Sequence, residues 1–135
     1  MKTKSVLTQT EVTQIIAAAR AEAQSNSWVV SIAVVDDGGH LLGFERLDGC
    51  APIGGYIAIE KARTSALGRR ESKGYEEMIN NGRTAFTTAP LLTSLEGGVP
   101  VIVDGEVIGA VGISGVKADQ DAQIAKAGVA AVNAG

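Results

Sequence analysis

Aromatic side chains are scarce in this chain: one Trp, two Tyr and two Phe make up 4% of its 135 residues. So few rings leave little with which to stack bases or sugars, and a core must be built from Val, Ile, Leu and Ala. Cysteine occurs once, which excludes an internal disulfide and any multi-cysteine metal centre. Cys50 reads as a small buried or loop residue, because no nucleophile constellation accompanies it. Histidine also occurs once, so any imidazole chemistry must use His40. Basic residues are neither abundant nor clustered: 12 Lys and Arg stand against 15 Asp and Glu, for a net charge of −3. Only Arg69 and Arg70 are adjacent, so a nucleic-acid partner is not expected. The apolar runs are too short to span a bilayer, and Met1 to Thr10 is polar. No secretory signal is present, which predicts a cytoplasmic protein with no membrane partner.

What the chain does have is a globular composition, 45% hydrophobic and 20% charged, in a length that suits one domain over residues 1–135. Thr8 and Glu11 have capping-box spacing, and Val12, Ile15, Ile16, Ala19 and Ala23 follow on one helical face, predicting a helix over Thr8–Ser25. Trp28–Asp36 and His40–Arg46 flank an Asp-Gly-Gly turn and predict a β-hairpin. Pro52 opens a second helix to Leu67, in which Ala58, Ala62 and Ala66 recur every four residues. Tyr75–Asn80 reads as a short helix and Thr84–Thr88 as a short strand. Val99–Val103 and Val107–Ile113 form a second hairpin around Asp104-Gly105, and Ala118–Val132 a last helix. Gly109 and Gly112 weaken the final strand and mark close approach of another backbone or a ligand. Two antiparallel hairpins among helices predict an α+β architecture with a five-stranded antiparallel sheet.

Several stretches taken together narrow this further. They are Val34-Val35-Asp36-Asp37-Gly38-Gly39-His40-Leu41, Lys61-Ala62-Arg63-Thr64, Glu96-Gly97-Gly98-Val99-Pro100, Gly109 to Gly115, and Asp121 followed by Ile124 to Gly128. In this order the chain resembles the GlcG/HbpS/PduO C-terminal family, often described as haem-binding or haem-degrading, from about Leu7 to Ala134. The resemblance implies a profilin-like fold and assembly into homo-oligomers from dimers to octamers. It also implies haem or a related small ligand as partner, with haem as a cofactor candidate.

The candidate site residues follow. His40, at the exit of the hairpin turn, is either a surface residue, a proton carrier or a metal ligand to haem iron, with Met78 and Tyr75 as the other donors. Glu60, Lys61, Arg63 and Thr64 cluster on the second helix, with Glu60 and Thr64 placed on one face by their spacing. They form either an exposed ion pair or an anion-binding face, in which Lys61 or Arg63 holds a carboxylate or haem propionate. Gly97 and Gly98 make a tight turn or an anion nest. Ser114 caps a strand end or binds a ligand. A Ser-His-Asp triad would have to join His40 to Ser114 or Ser65 without a nucleophile elbow, and Asp36, Asp37 and His40 are too few for a zinc centre. Three functions are compatible: a haem or tetrapyrrole binder that aids its degradation or sensing, a catabolic enzyme acting on a carboxylated substrate through Arg63, Lys61, His40 and Glu60, and a non-catalytic accessory oligomer.

Overall fold

The computed structural model describes residues 1–132. Its elements are α1 (Gln9–Ser25), β1 (Ser31–Asp36), β2 (Leu41–Arg46), α2 (Pro52–Gly68), α3 (Lys73–Asn80), a 3-10 turn (Thr84–Thr88), β3 (Gly98–Val103), β4 (Glu106–Ser114) and α4 (Ala118–Ala130). The Glu11 carboxylate accepts the Thr8 backbone N–H at 3.1 Å, closing the first turn of α1 as the capping-box spacing requires. α2 ends where Arg69 turns left-handed at φ 58.

The described strands form one antiparallel sheet of four, in the order β2-β1-β4-β3. The expectation of five strands is therefore corrected, because Thr84–Thr88 is a 3-10 turn. Two causes act on that segment. The Thr87 and Thr88 hydroxyls each donate back to the carbonyls of Thr84 and Ala85 at 2.8 Å, which favours a turn over an extended ladder. Phe86 meanwhile stacks on Tyr75 with ring centroids 5.4 Å apart, holding the turn against α3.

Central β1 alternates between two cores. Ile32 and Val34 face α1 and α4, where they pack with Ile15, Val111, Ile113 and Ile124. Ala33 and Val35 face α2 with Ala58, Ala62, Ala66 and Ala110. The first core is built of large aliphatic residues and the second almost wholly of alanine. A Cβ on Gly112 would fall 2.0 Å from the Ala58 carbonyl oxygen, and one on Gly98, its partner across β3 and β4, 2.2 Å from the Lys61 carbonyl oxygen. The backbone of α2 thus lies directly on this glycine pair, the close approach anticipated at Gly112.

β2 is an edge strand. A bulge shifts its register so that Val35 pairs with Leu41 while Val34 pairs with Gly43. The extra residue puts Leu41, Phe44 and Arg46 on the α2 side of the sheet, opposite Val35, Ala33 and Ser31. A seam between β2 and α2 results.

Candidate functional site

α2 divides the sequence-predicted site residues between its two faces. Lys61 and Thr64 point inward and are buried, whereas Glu60 and Arg63 are half-buried on the outer side. The sharing of a face by Glu60 and Thr64 is not realised at the surface. The Thr64 hydroxyl lies against the chain that returns from the 3-10 turn and accepts the Thr93 N–H at 2.8 Å.

The inner group is a closed network. Lys61, 4% exposed, donates from Nζ to the Ile113 carbonyl at 2.9 Å and to Asp121 Oδ2 at 3.0 Å. Asp121 Oδ1 accepts the Val116 N–H at 3.1 Å. Burial pushes the Asp121 carboxyl above its ordinary value, opposed by the Lys61 ammonium and the Val116 N–H. The pair ties α2 to β4 and α4. Gly97 lies beside the Lys61 ammonium, and its carbonyl accepts the Ile113 N–H at 3.1 Å. The Gly98 N–H goes to the Ser72 hydroxyl at 2.8 Å, and Ser72 donates onward to the Leu95 carbonyl at 2.6 Å. The Gly98 N–H is thus already partnered within the fold, where an anion nest would need it free. Ser114 is buried at the end of β4, where its carbonyl faces the Cys50 thiol.

The outer group gathers where β2 begins and α2 ends. Asp36 Oδ1 accepts the Gly38 and His40 backbone N–H groups, each at 2.9 Å, and lies 3.1 Å from His40 Nδ1. Partial burial works to raise the Asp36 carboxyl pKa, but these two N–H groups and the imidazole outweigh it and hold the pKa below the ordinary value. The ionised carboxylate orients the imidazole and leaves Nε2 facing solvent, since the His40 side chain is 80% exposed. Arg63 packs its stem on Gly39, donates to the Gly39 carbonyl at 3.4 Å, and donates to Glu60 Oε1 at 2.6 Å. Arg63 therefore joins Glu60 to the hairpin turn at Gly39, the residue before His40, while the imidazole itself turns to Asp36. Of the other iron donors, Tyr75 is buried with Phe86 and Arg70 on its ring, and Met78 is half-buried on α3.

The other end of the seam was not visible in the sequence. Phe44, Arg46, Pro52, Gly55, Tyr56 and Ile59 line an open groove of about 260 Å³. Tyr56 is 75% exposed and Phe44 41%. The usable signal was angular: at 100° per residue, Tyr56 lies about 200° around the helix from Ala58, opposite the alanine stripe. A larger hollow of about 570 Å³ between α1 and β2 has Arg20 and Glu45 in its wall. Those two satisfy each other through paired bonds of 2.6 and 2.7 Å, which makes the hollow a poorer ligand site. No group of three or more His, Cys, Asp or Glu among the described residues is arranged to hold a metal ion, and no described helix is long and apolar enough to cross a membrane.

Comparison with known proteins agrees with this architecture. Protein GlcG of Escherichia coli K12 is 72% identical over 114 residues, covering 84% of this chain and 85% of GlcG. The solved structure titled as a PduOC:heme complex superposes with a TM-score of 0.87 at 25% identity, covering 96% of each chain. A double mutant of HbpS from Streptomyces reticuli superposes with a TM-score of 0.88 at 29% identity, covering 98% of this chain and 90% of that one. The family model described as haem degrading protein HbpS-like matches residues 7–130, and the chain belongs to that HbpS-like family.

Proposed function

We propose that this protein binds haem, or a related carboxylated small molecule, along the seam between β2 and α2 and assists its degradation or sensing. The observation that carries this reading is an exposed apolar groove lined by Arg46, with a second arginine, Arg63, farther along the same face of α2. Arg46 lines the groove, and Arg63, paired with Glu60, stands seven residues or about 10 Å along the helix from Tyr56. Haem requires an apolar surface, a donor for its iron and cations for its propionates. Phe44, Pro52 and Ile59 supply the first, Tyr56 and His40 are donors on the seam, and the two arginines suit the third. When bound, haem would supply redox-active iron. The residues of the chain bind, orient and partly exclude water. Membership of a family described as haem degrading, and the likeness to a PduOC:heme complex, support the same reading. The test is a titration of the protein with micromolar haem: a Soret band that shifts and saturates is expected, and an unchanged spectrum would sink the reading. The same reading takes the fold as profilin-like and the chain as a cytoplasmic homo-oligomer from dimer to octamer, which light scattering would check.

A second reading rests on a different observation, the Asp36–His40 pair beside Arg63. A carboxylate bound by Arg63 would sit within reach of an oriented imidazole, with Glu60 as the neighbouring acid or base. This suits an enzyme acting on a small carboxylic acid in a catabolic sequence. Any turnover of such acids should fall at least about tenfold in both Arg63→Ala and His40→Ala. Equal activity in both variants would remove this site.

A further inference from the structure

We infer that the groove at the Arg46 end of the seam is the seat of the tetrapyrrole ring and that Tyr56 supplies the oxygen ligand to its iron. This rests on the haem reading above and assigns the site within it.

Three features select this end. The groove is lined mostly by apolar side chains, Phe44, Pro52 and Ile59, and Gly55 is buried beneath the Phe44 ring, which its missing side chain lets pack down onto α2. A Cβ on Gly55 would fall 3.0 Å from the Phe44 ring, so any larger residue there would press on the wall. Tyr56 is exposed on that wall and carries the one phenol among the lining residues. His40, by contrast, stands at the far end of β2 with its Nδ1 engaged by Asp36.

The lining is also electrostatically one-sided. It holds Arg46 and no acidic residue. An isologous contact between two copies over this groove would bring two guanidinium groups to one apolar seam with no carboxylate in the lining to neutralise them. A flat apolar ligand carrying its own carboxylates resolves that imbalance. The phenol would give its proton to solvent as its oxygen bonds ferric iron, so the added negative charge also lies beside Arg46. Tyrosine ligation of haem iron has precedent among haem proteins.

The experiment titrates the intact protein and three variants, Tyr56→Phe, Arg46→Ala and His40→Ala, with ferric haem and separately with iron-free protoporphyrin. Absorbance reads the first ligand and fluorescence the second, while light scattering follows oligomeric state. Tyr56→Phe keeps the ring and the helix, so loss of fold does not confuse the result. Expected is a changed Soret position and about tenfold weaker haem binding in Tyr56→Phe, with protoporphyrin binding kept. Arg46→Ala should weaken both ligands by roughly threefold to tenfold, and His40→Ala should weaken haem binding less than Tyr56→Phe does. A parent that binds haem while His40→Ala alone loses the band would overturn the assignment and leave the haem reading standing. Dissociation of an oligomer in Arg46→Ala or Tyr56→Phe with unaltered haem binding would also overturn it, marking the groove as a contact between copies. A parent that binds neither ligand would fail the haem reading itself.

Discussion

The two faces of α2 are built on opposite terms. Inward, Ala58, Ala62 and Ala66 lie over a sheet whose Gly98 and Gly112 have no side chains to hold the helix off. Outward, Tyr56, Ile59, Glu60 and Arg63 stand above the edge strand. The inner face teaches why the outer one is apolar at all. A helix seated this close has room beneath it only for small residues (glycine, alanine, serine, threonine) and one buried ion pair, so its larger residues are left on the side that meets solvent or a ligand. Isolated surface hydrophobics are ordinary, but a lined groove beside an arginine suits recognition.

If that contrast holds, substitutions inside should cost stability and those outside should not. The largest loss is expected from Lys61→Met, which leaves the Asp121 carboxyl buried without its cation. Breaking such a pair from one side costs about 3–5 kcal/mol, measurable by urea denaturation. Adding Asp121→Leu in the same chain should recover much of the loss, and a failure to do so would show that the pair specifies the packing of α2 rather than merely satisfying a charge. Next comes Gly112→Ala. Its new methyl would meet the Ala58 carbonyl, and forcing the helix outward should cost about 1–3 kcal/mol by the same measurement.

A smaller effect distinguishes buried from exposed carboxylates by pH. Asp121 is pushed up by burial, so as pH falls through its raised range the folded protein takes up that proton before the unfolded chain does. Its contribution to stability therefore grows as pH falls through that window. Glu45 is held below the ordinary value by the Arg20 guanidinium against a modest burial effect, so its contribution is present above the unfolded glutamate pKa. That contribution is lost as pH falls through the depressed value. Because the pair is about one-third exposed, removing it in Glu45→Gln should cost no more than about 1 kcal/mol at neutral pH and flatten the acid limb of the stability profile. The smallest change is expected from Glu60→Gln on the outer face of α2, under about 0.5 kcal/mol, because its partner Arg63 remains solvated. A loss comparable to that of Lys61→Met would collapse the distinction between the faces.

Much of this architecture was legible in local pattern. The Thr8–Glu11 spacing, the Asp-Gly turns and the four-residue alanine stripe each follow from short-range geometry, and each formed where it was expected. Thr84–Thr88 forms a 3-10 turn and not the expected strand because β-branched residues favour strands only where a neighbouring strand is available to pair. Here hydroxyl back-bonding and the Tyr75 ring won instead. The candidate site was legible only in part. Arg63 and Glu60 pair on the outer side of α2, whereas Lys61 and Thr64, from the same short motif, turn into the core. One residue along a helix is a rotation of 100°, enough to separate a surface guanidinium from a buried ammonium.

By itself, then, the sequence determined the secondary elements other than Thr84–Thr88, and the family, because these depend on periodicity and ordered motifs. The tertiary structure alone decided which face of α2 each charged residue occupies, that Asp121 would meet Lys61 from sixty residues away, and that Phe44, Arg46 and Tyr56 would line one groove. Those outcomes depend on how far a bulge shifts β2 and how closely a glycine pair lets a helix approach. Both are distances between elements, which no local run of residues encodes.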